Sequence, residues 1–407
     1  MRKLLLIFII FVVSAASFEG FFVKWTFRDD NSTYSFQAMY EGTAERPFVY
    51  RQLLISVSKS IVLSLPDDTK IQIKNKIHED NFLENNFKRV NIKDEFIIEY
   101  YTLYFLCFVC LFTSVFIWRQ ICADVTGSLT AGTLAALTFT ILFPYLETNG
   151  GYYYDFPELL FFSAATLFAY RGYWIALILL SPIATYSKES FFFFLLTLYP
   201  ILRINLSFKK TCLILTSAVF LAGITYFINM SHFANNPGGN TYFNLFNNLL
   251  GIIPIICFAA VYFIDKFKLI LYALLAIIFI ITKNYLLTQS FANSFEHQFL
   301  LNVYDSFGHT YSVISGEYAF FLHIILIVWF VKYSWQYLND TWRTQAKLAL
   351  LINTLLILPF GLVCELRNWS LLYPAFIVLI SFNIKNSLRW QKCNFHRVCL
   401  SQYTFCL

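Results

Sequence analysis

The chain has 407 residues, of which 58% are hydrophobic and only 13% are charged. The charged share is about half that of an average soluble domain, and a soluble core of this length could not bury so much apolar surface. The composition therefore excludes a soluble enzyme, a disordered chain and a disulfide-framed secreted domain, and it indicates a protein with many membrane spans. The net charge of +6 suits contact with anionic lipid headgroups and gives no evidence for nucleic acid binding.

The N-terminal segment, residues 1–23, starts with two basic side chains and continues as an apolar run. This pattern is typical either of a cleaved signal peptide or of a first transmembrane helix. We favour the uncleaved helix, because the apolar run resumes after residue 20. Either interpretation puts residues 24–96 in an extracytoplasmic loop, which is predicted to contain one or two amphipathic helices lying along the membrane.

The rest of the chain predicts an all-α, polytopic bundle of about twelve transmembrane helices, with about ten to thirteen as the range. The bundle occupies residues 97–384, and residues 385–407 form a tail. The run 190–202 is too short to cross a bilayer as a straight helix, which favours a broken or re-entrant helix there. The predicted spans are 1–23, 97–117, 125–146, 156–171, 172–187, 190–202, 211–229, 249–264, 268–287, 318–335, 347–364 and 369–384.

The charges give this bundle an orientation. With the N-terminus in the cytoplasm, the predicted inner segments are rich in Lys and Arg, whereas the short outer loops carry little positive charge. This distribution is typical of a bacterial inner (plasma) membrane protein with both termini cytoplasmic. Carboxylates collect in the later outer loops, which makes that face a candidate for chemistry: Glu147, Asp155, Glu158, Glu189, Glu296, Asp305, Glu317 and Glu365.

Two candidate stretches belong to the first outer loop. Asp29 and Asp30 follow the first helix, and adjacent carboxylates at a membrane surface can act as a general base. The alternative is a solvated loop with a capping Asp. Arg46 and Arg51 flank a predicted helix start at Pro47, where they could bind phosphate or rest on lipid headgroups as part of an amphipathic helix.

A third stretch contains Asp155 and Glu158, three residues apart near a predicted helix start, where the helix dipole favours carboxylates. The tyrosines at 152–154 just before it predict either an aromatic belt or a platform on which a sugar stacks.

The last two stretches lie between later apolar runs. Lys188 and Glu189 are adjacent between two of them, and Glu365 and Arg367 lie between the final two. The plain alternatives are an ordinary short loop for the first pair and an interfacial ion pair for the second. Charges at bilayer depth are costly, however, and they tend to pair or to serve a function.

Taken in order, these stretches resemble a group of uncharacterised bacterial polytopic proteins that is itself similar to the GT-C superfamily of membrane glycosyltransferases. The resemblance implies an enzyme that transfers a sugar from a polyprenyl-phosphate-linked donor on the outer face of the inner membrane, in cell-surface polysaccharide or glycolipid synthesis. The matching pieces are Asp29-Asp30, residues 45–54, Tyr154 to Glu158, Lys188 to Ser190, and Glu365 to Arg367.

The resemblance also implies roles for single residues. Asp29 or Asp30 would be the base on the acceptor, and Asp155 and Glu158 would be supporting acids in the catalytic set. Lys188 and Arg367 would contact the lipid phosphate. Arg46, Arg51, Glu189 and Glu365 complete the predicted substrate-binding set. The implied partners are the lipid-linked donor and membrane lipid. The sequence predicts no metal ligands, leaves open whether a divalent cation takes part, and gives no oligomeric state.

Two other functions stay open. A lipid-linked glycan polymerase or ligase would share the outer face but rely on arginines in a large late loop, and the loop 283–317 contains no Arg. A transporter or flippase without catalysis predicts charges that line mid-bilayer helices and repeats between two halves. The sequence shows no such repeat, and its charges fall at the predicted helix ends.

Overall fold

The computed structural model describes residues 2–27, 34–80, 83–85, 92–147, 151–237, 329–360 and 366–403, and this part of the chain is helical with no strand. Short 3-10 turns occur at Phe48–Tyr50, Asp94–Phe96 and Leu366–Leu372. The α-helices that matter below are α1 (Arg2–Trp25), α2 (Phe36–Glu41), α3 (Leu53–Ser64), α4 (Asp67–Glu79), α5 (Ile97–Thr126), α6 (Leu129–Leu146), α7 (Asp155–Arg171), α8 (Trp174–Ser187), α9 (Ser190–Thr197), α10 (Tyr199–Leu202), α11 (Phe208–His232), α12 (Asp340–Phe360) and α13 (Tyr373–Tyr403).

Among the described residues, five helical stretches are long and apolar enough to cross a membrane. Their length and composition agree with a polytopic membrane protein. The predicted spans 249–264 and 268–287, and most of 318–335, lie outside the described residues. The five stretches are Lys3–Val23, Asp94–Thr126, Leu129–Leu146, Phe208–His232 and Trp369–Leu388.

Helix boundaries differ from the sequence prediction between the second and third predicted spans. Helix α5 runs to Thr126, well past residue 117, and ends at Gly127, which adopts a left-handed φ of 67°. Ser128 then caps α6 by accepting a hydrogen bond from the backbone N–H of Ala131. The boundary is therefore set by one glycine and one capping serine rather than by a loss of hydrophobicity.

The run 190–202 is broken, as its short length predicts. Helix α9 ends at Thr197 and α10 begins at Tyr199, with Leu198 between them. Pro200 lies in the first turn of α10 and has no backbone N–H, so it cannot continue the hydrogen-bond ladder of α9.

Helix α5 is the centre of the bundle and packs against α1, α3, α6, α7 and α13. Its approach to α6 is close enough that a Cβ on Gly132 would lie 2.7 Å from both the Ala123 nitrogen and the Arg119 carbonyl oxygen. A small residue at this crossing lets the two backbones meet, which is how membrane helices commonly pack.

The polar segment after α1 folds against the bundle. Helix α3 buries one face, including Ile55 and Val62, and exposes Val57, Ile61 and Leu63 on the other. It packs against α5 and α8, whereas α4 is polar and mostly exposed. Residues 24–96 therefore contain the helices α3 and α4, together with the short helix α2.

The bundle has two ends of different character. One end, which we call the site end, collects the end of α6, the starts of α7 and α13, and the loop before α3. Contacts there include Tyr373 with Glu147 at 3.0 Å and the amide of Asn229 with the carbonyl of Tyr50 at 3.2 Å. At the opposite end, which we call the basic end, Arg171 pairs with Asp124 at 2.7 Å.

Candidate functional site

The centre of the site end is a lysine, with only 12% of its side chain exposed, between two buried carboxylates. The Nζ atom of Lys188 lies 2.7 Å from Asp155 Oδ1 and 2.7 Å from Glu158 Oε2. The two carboxylate residues are only 2% and 5% exposed. Because charges with so little solvent are costly unless they are paired, these three groups depend on one another.

Helix ends explain why these charges lie here. Asp155 and Glu158 occupy the first turn of α7, where the helix dipole stabilises negative charge. Lys188 caps the C-terminus of α8, where a cation is favoured, and Glu189 caps the N-terminus of α9. The chain therefore places each of these four charges at the helix end that suits its sign.

Glu158 is held by three donors. Besides Lys188, its Oε1 atom accepts hydrogen bonds from Ser190 at 2.5 Å and from Ser370 at 3.2 Å. A buried carboxylate with this many donors has a fixed orientation.

A second ion pair joins the first outer loop to the same centre. Arg51 donates from Nε to one oxygen of Glu189 at 3.0 Å and from Nη2 to the other oxygen. This two-point geometry is specific to arginine, whose planar guanidinium matches a carboxylate. The Arg51 guanidinium also lies 4.1 Å from the ring centre of Tyr154.

Arg367 reaches the site from the other side. Its Nη1 atom lies 3.7 Å from Asp155 Oδ2, which is ion-pair range but beyond a hydrogen bond. Its guanidinium covers the ring of Tyr152 at 4.0 Å from the ring centre. Three cations from distant parts of the chain, Arg51, Lys188 and Arg367, therefore share one electrostatic environment.

The tyrosines at 152–154 form neither an aromatic belt nor an open sugar platform. All three are buried, and the rings of Tyr152 and Tyr154 face the cations of the ion pairs. Tyr154 lies under Arg51 and Lys188, Tyr152 lies under Arg367, and the hydroxyl of Tyr153 donates to the Arg51 carbonyl oxygen at 2.6 Å. The negative ring faces replace part of the water that the cations lose on burial.

Glu147 also belongs to the site, although the sequence predicted it only as one of the carboxylates of the outer loops. Glu147 is 2% exposed and accepts a hydrogen bond from the hydroxyl of Tyr373 at 3.0 Å. Its Oε2 atom is buried and has no hydrogen-bond partner among the described residues. In the sequence, Glu147 is recognisable only as an acid that directly follows an apolar run. Many loop acids have the same position.

The carboxyl groups of the site differ in the direction in which their pKa values are shifted. Burial raises the pKa of Glu147 well above its ordinary value, and the neighbouring Asp155 raises it further. Burial alone would raise the pKa of Asp155 too, but Lys188 and Arg367 outweigh burial and hold that pKa below its ordinary value. In the same way, Arg51 overcomes the effect of burial and lowers the pKa of Glu189.

The structure brings together six of the ten predicted site residues. Arg46 is on the loop before Phe48, and its guanidinium interacts with the hydroxyl of Tyr50, the residue just before Arg51. Asp29, Asp30 and Glu365 lie outside the described residues. The six that converge are Arg51, Asp155, Glu158, Lys188, Glu189 and Arg367.

The described residues on either side of Asp29 and Asp30 contact the site. Phe27 is fully buried, with its ring centre 6.4 Å from that of Tyr153. Tyr34 packs against Tyr152 at 5.8 Å between ring centres.

The described part of the chain contains no cluster of side chains that could bind a metal ion. Within those residues, no group of three or more His, Cys, Asp or Glu side chains is arranged to hold a metal ion. The described carboxylates of the site have Lys188, Arg51 and Arg367 as their cationic partners.

No family model, no curated protein and no solved structure matches this chain. What the protein does is therefore inferred from the chemistry of the site.

Proposed function

We propose that this protein is a membrane glycosyltransferase of the GT-C type. It takes a sugar from a polyprenyl-phosphate-linked donor on the outer face of a bacterial inner membrane, in cell-surface polysaccharide or glycolipid synthesis. The proposal includes about twelve membrane spans and cytoplasmic termini, so that the site end faces outward.

One observation carries the proposal. Arg51, Lys188 and Arg367 come from three separate segments and meet at one end of a bundle of apolar helices. A lipid-linked phosphate needs cations at that depth, because its tail stays in the bilayer while its headgroup must lie at the helix ends. Guanidinium groups suit a phosphate in particular, since they offer parallel N–H donors.

The reaction also needs a carboxylate that accepts the proton of the attacking hydroxyl group. The acceptor hydroxyl oxygen forms a bond to the anomeric carbon, the bond from that carbon to the phosphate oxygen breaks, and the bonding electrons leave with the phosphate. The hydroxyl proton passes to a carboxylate, which we assign to Asp29 or Asp30. The cations stabilise the negative charge that develops on the departing phosphate.

The described residues have separate roles in this scheme. Lys188 and Arg367 contact the phosphate, and Arg51 is fixed by Glu189 so that it adds positive potential. Asp155 and Glu158 hold Lys188 in position through two hydrogen bonds. They are positioning residues, and the tyrosine faces keep the cations in a low-water environment.

The location of the charges favours this function over transport. A transporter predicts charges along the middle of its helices, near a midplane substrate site. In the described ranges, the buried ion pairs of the site instead involve the ends of α7, α8 and α9.

The test uses the acids that the proposal makes the base. Asp29→Asn, Asp30→Asn and the double variant are produced in cells that lack the native copy, and surface glycan is measured alongside protein level. We expect the double variant to abolish glycan synthesis at normal protein level, because the acceptor proton then has no base. The matched control is Asp124→Asn at the basic end, which should leave glycan unchanged. Normal glycan in the double variant would contradict the assignment.

A further inference from the structure

Glu147 is the exception to the helix-end pattern of the site. It caps the C-terminus of α6, where the helix dipole is negative and a carboxylate is disfavoured. Asp155 lies at the N-terminus of α7, where a carboxylate is favoured. Asp155 is nevertheless the charged group that acts most strongly on Glu147.

An ionised carboxylate only accepts hydrogen bonds, so a buried carboxyl oxygen that meets no donor is better satisfied when its own group carries a proton. Among the described residues, neither Glu147 Oε2 nor Asp155 Oδ2 receives a hydrogen bond from an N–H or O–H group. Both residues are 2% exposed, so water does not screen them. Two bare charges on these neighbouring buried groups would repel each other.

The charge count leads to the same conclusion. Among the described residues of the site, three cations face three ion-paired carboxylates, and their charges balance without Glu147: Arg51, Lys188 and Arg367 against Asp155, Glu158 and Glu189. An ionised Glu147 would add one uncompensated negative charge. A neutral Glu147 leaves the site balanced.

We propose that Glu147 and Asp155 form a proton-binding site, in which one proton is shared between the carboxyl groups and belongs to Glu147 at neutral pH. The groups that face Glu147 fit this assignment. Asp155 and Glu158 on α7 disfavour a second negative charge, Lys188 is already engaged by both of them, and Tyr373 on α13 donates to the remaining oxygen.

The proton has a consequence for ligand binding, which rests on the proposed function. A phosphate that enters a balanced site adds negative charge next to Arg367 and Lys188. If Glu147 were ionised, a further negative charge would oppose that ligand. The neutral acid therefore lets the cations attract a phosphate, and loss of the proton at high pH weakens binding.

The first test detects the proton itself. Infrared spectra of the purified protein in lipid are recorded for the wild type, Glu147→Gln and the control Asp124→Asn. We expect a carbonyl band of a protonated carboxylic acid that shifts in D2O, persists in the control and is lost in Glu147→Gln. If Glu147→Gln retains the full band, or the wild type has none, the proposal is wrong.

The second test measures stability against pH. Because Glu147 holds its proton more tightly in the folded chain, the stability of the wild type falls as the pH rises from about 4.3, the pKa of an unfolded glutamate, towards the raised folded-state pKa. Glutamine mimics the neutral acid, so Glu147→Gln should fold normally and lack this part of the pH dependence. Identical pH profiles for the two proteins would overturn the proposal.

The third measurement separates this proposal from the proposed function. Binding of a polyprenyl monophosphate in nanodiscs is measured across the same pH range. We expect the wild type to lose affinity at least tenfold from the acid to the alkaline end, and Glu147→Gln to lose much less. Absence of any phosphate binding, with the infrared band intact, would refute the proposed function and leave the proton site supported. Equal losses in both proteins would refute the role of the proton in binding.

Discussion

The two ends of helix α7 carry ion pairs of similar chemistry in opposite surroundings. At its N-terminus, Asp155 and Glu158 hold Lys188, whose side chain is 12% exposed. At its C-terminus, Arg171 pairs with Asp124, and these side chains are 35% and 25% exposed. The exposed pair contributes little to the free energy of unfolding. The buried cluster must be complete, because removing one member leaves a buried charge without its partner.

The two ends also differ in what holds the helices together. Near the basic end, α5 and α6 meet backbone to backbone at Gly132. At the site end, charges, tyrosine rings and side-chain hydrogen bonds link α6, α7, α8, α9 and α13. The basic end is therefore held together by close packing, and the site end by a polar network. Burying such a network costs free energy, which favours a functional role for it.

The largest expected effect is from Lys188→Met. Removing the ammonium group leaves Asp155 and Glu158 buried without their shared cation, so the free energy of unfolding should fall by about 3–5 kcal/mol. The matched control, Arg171→Met at the basic end, should cost no more than about 1 kcal/mol. Denaturant unfolding in detergent measures both, and equal losses would show that burial does not distinguish the two ends.

A smaller effect is expected from Arg51→Lys. Lysine keeps the charge but cannot donate to both oxygens of Glu189 in a planar fork, and it loses the stacking on Tyr154. The free energy of unfolding should fall by about 1.5–3 kcal/mol, the usual range for a hydrogen bond to a charged group. Unfolding of this variant under the same conditions checks the value, and a loss below about 0.5 kcal/mol would mean that the fork contributes little.

The packing of α5 on α6 predicts an effect of similar or smaller size. Gly132→Ala puts a methyl group 2.7 Å from backbone atoms of Ala123 and Arg119, so the helices must separate, at a cost of about 1–3 kcal/mol. A methyl group on Gly20 in α1 would meet no neighbouring atom within 4 Å, and Gly20→Ala should be neutral or slightly stabilising. Thermal unfolding of the pair tests this, and a neutral Gly132→Ala would remove the packing argument.

Much of this architecture could be predicted from the sequence, because it depends on local patterns. Apolar runs locate the helices, and the acids three residues apart at 155 and 158 fit a helix N-terminus. The interruption at Leu198 follows from the short run that contains Pro200. Each of these signals lies within a few residues of the feature that it predicts.

The rest of the site depends on contacts between distant residues, which one sequence does not encode visibly. Ser370 reaches Glu158 across 212 positions, and Tyr373 reaches Glu147 across 226. Without the fold, Glu147 is one loop acid among several, and Tyr152 and Tyr154 look like an interfacial belt. Only the packing shows that these rings cover Arg367 and Arg51.

The most direct test of the central claim is the affinity of the site end for a lipid phosphate. Binding of a polyprenyl monophosphate is measured in nanodiscs for the wild type, for Arg367→Gln at the site end and for Arg171→Gln at the basic end. The account predicts that Arg367→Gln weakens binding at least tenfold, about 1.4 kcal/mol, while Arg171→Gln binds like the wild type. Equal affinity for all three proteins, or no binding by the wild type, would contradict it.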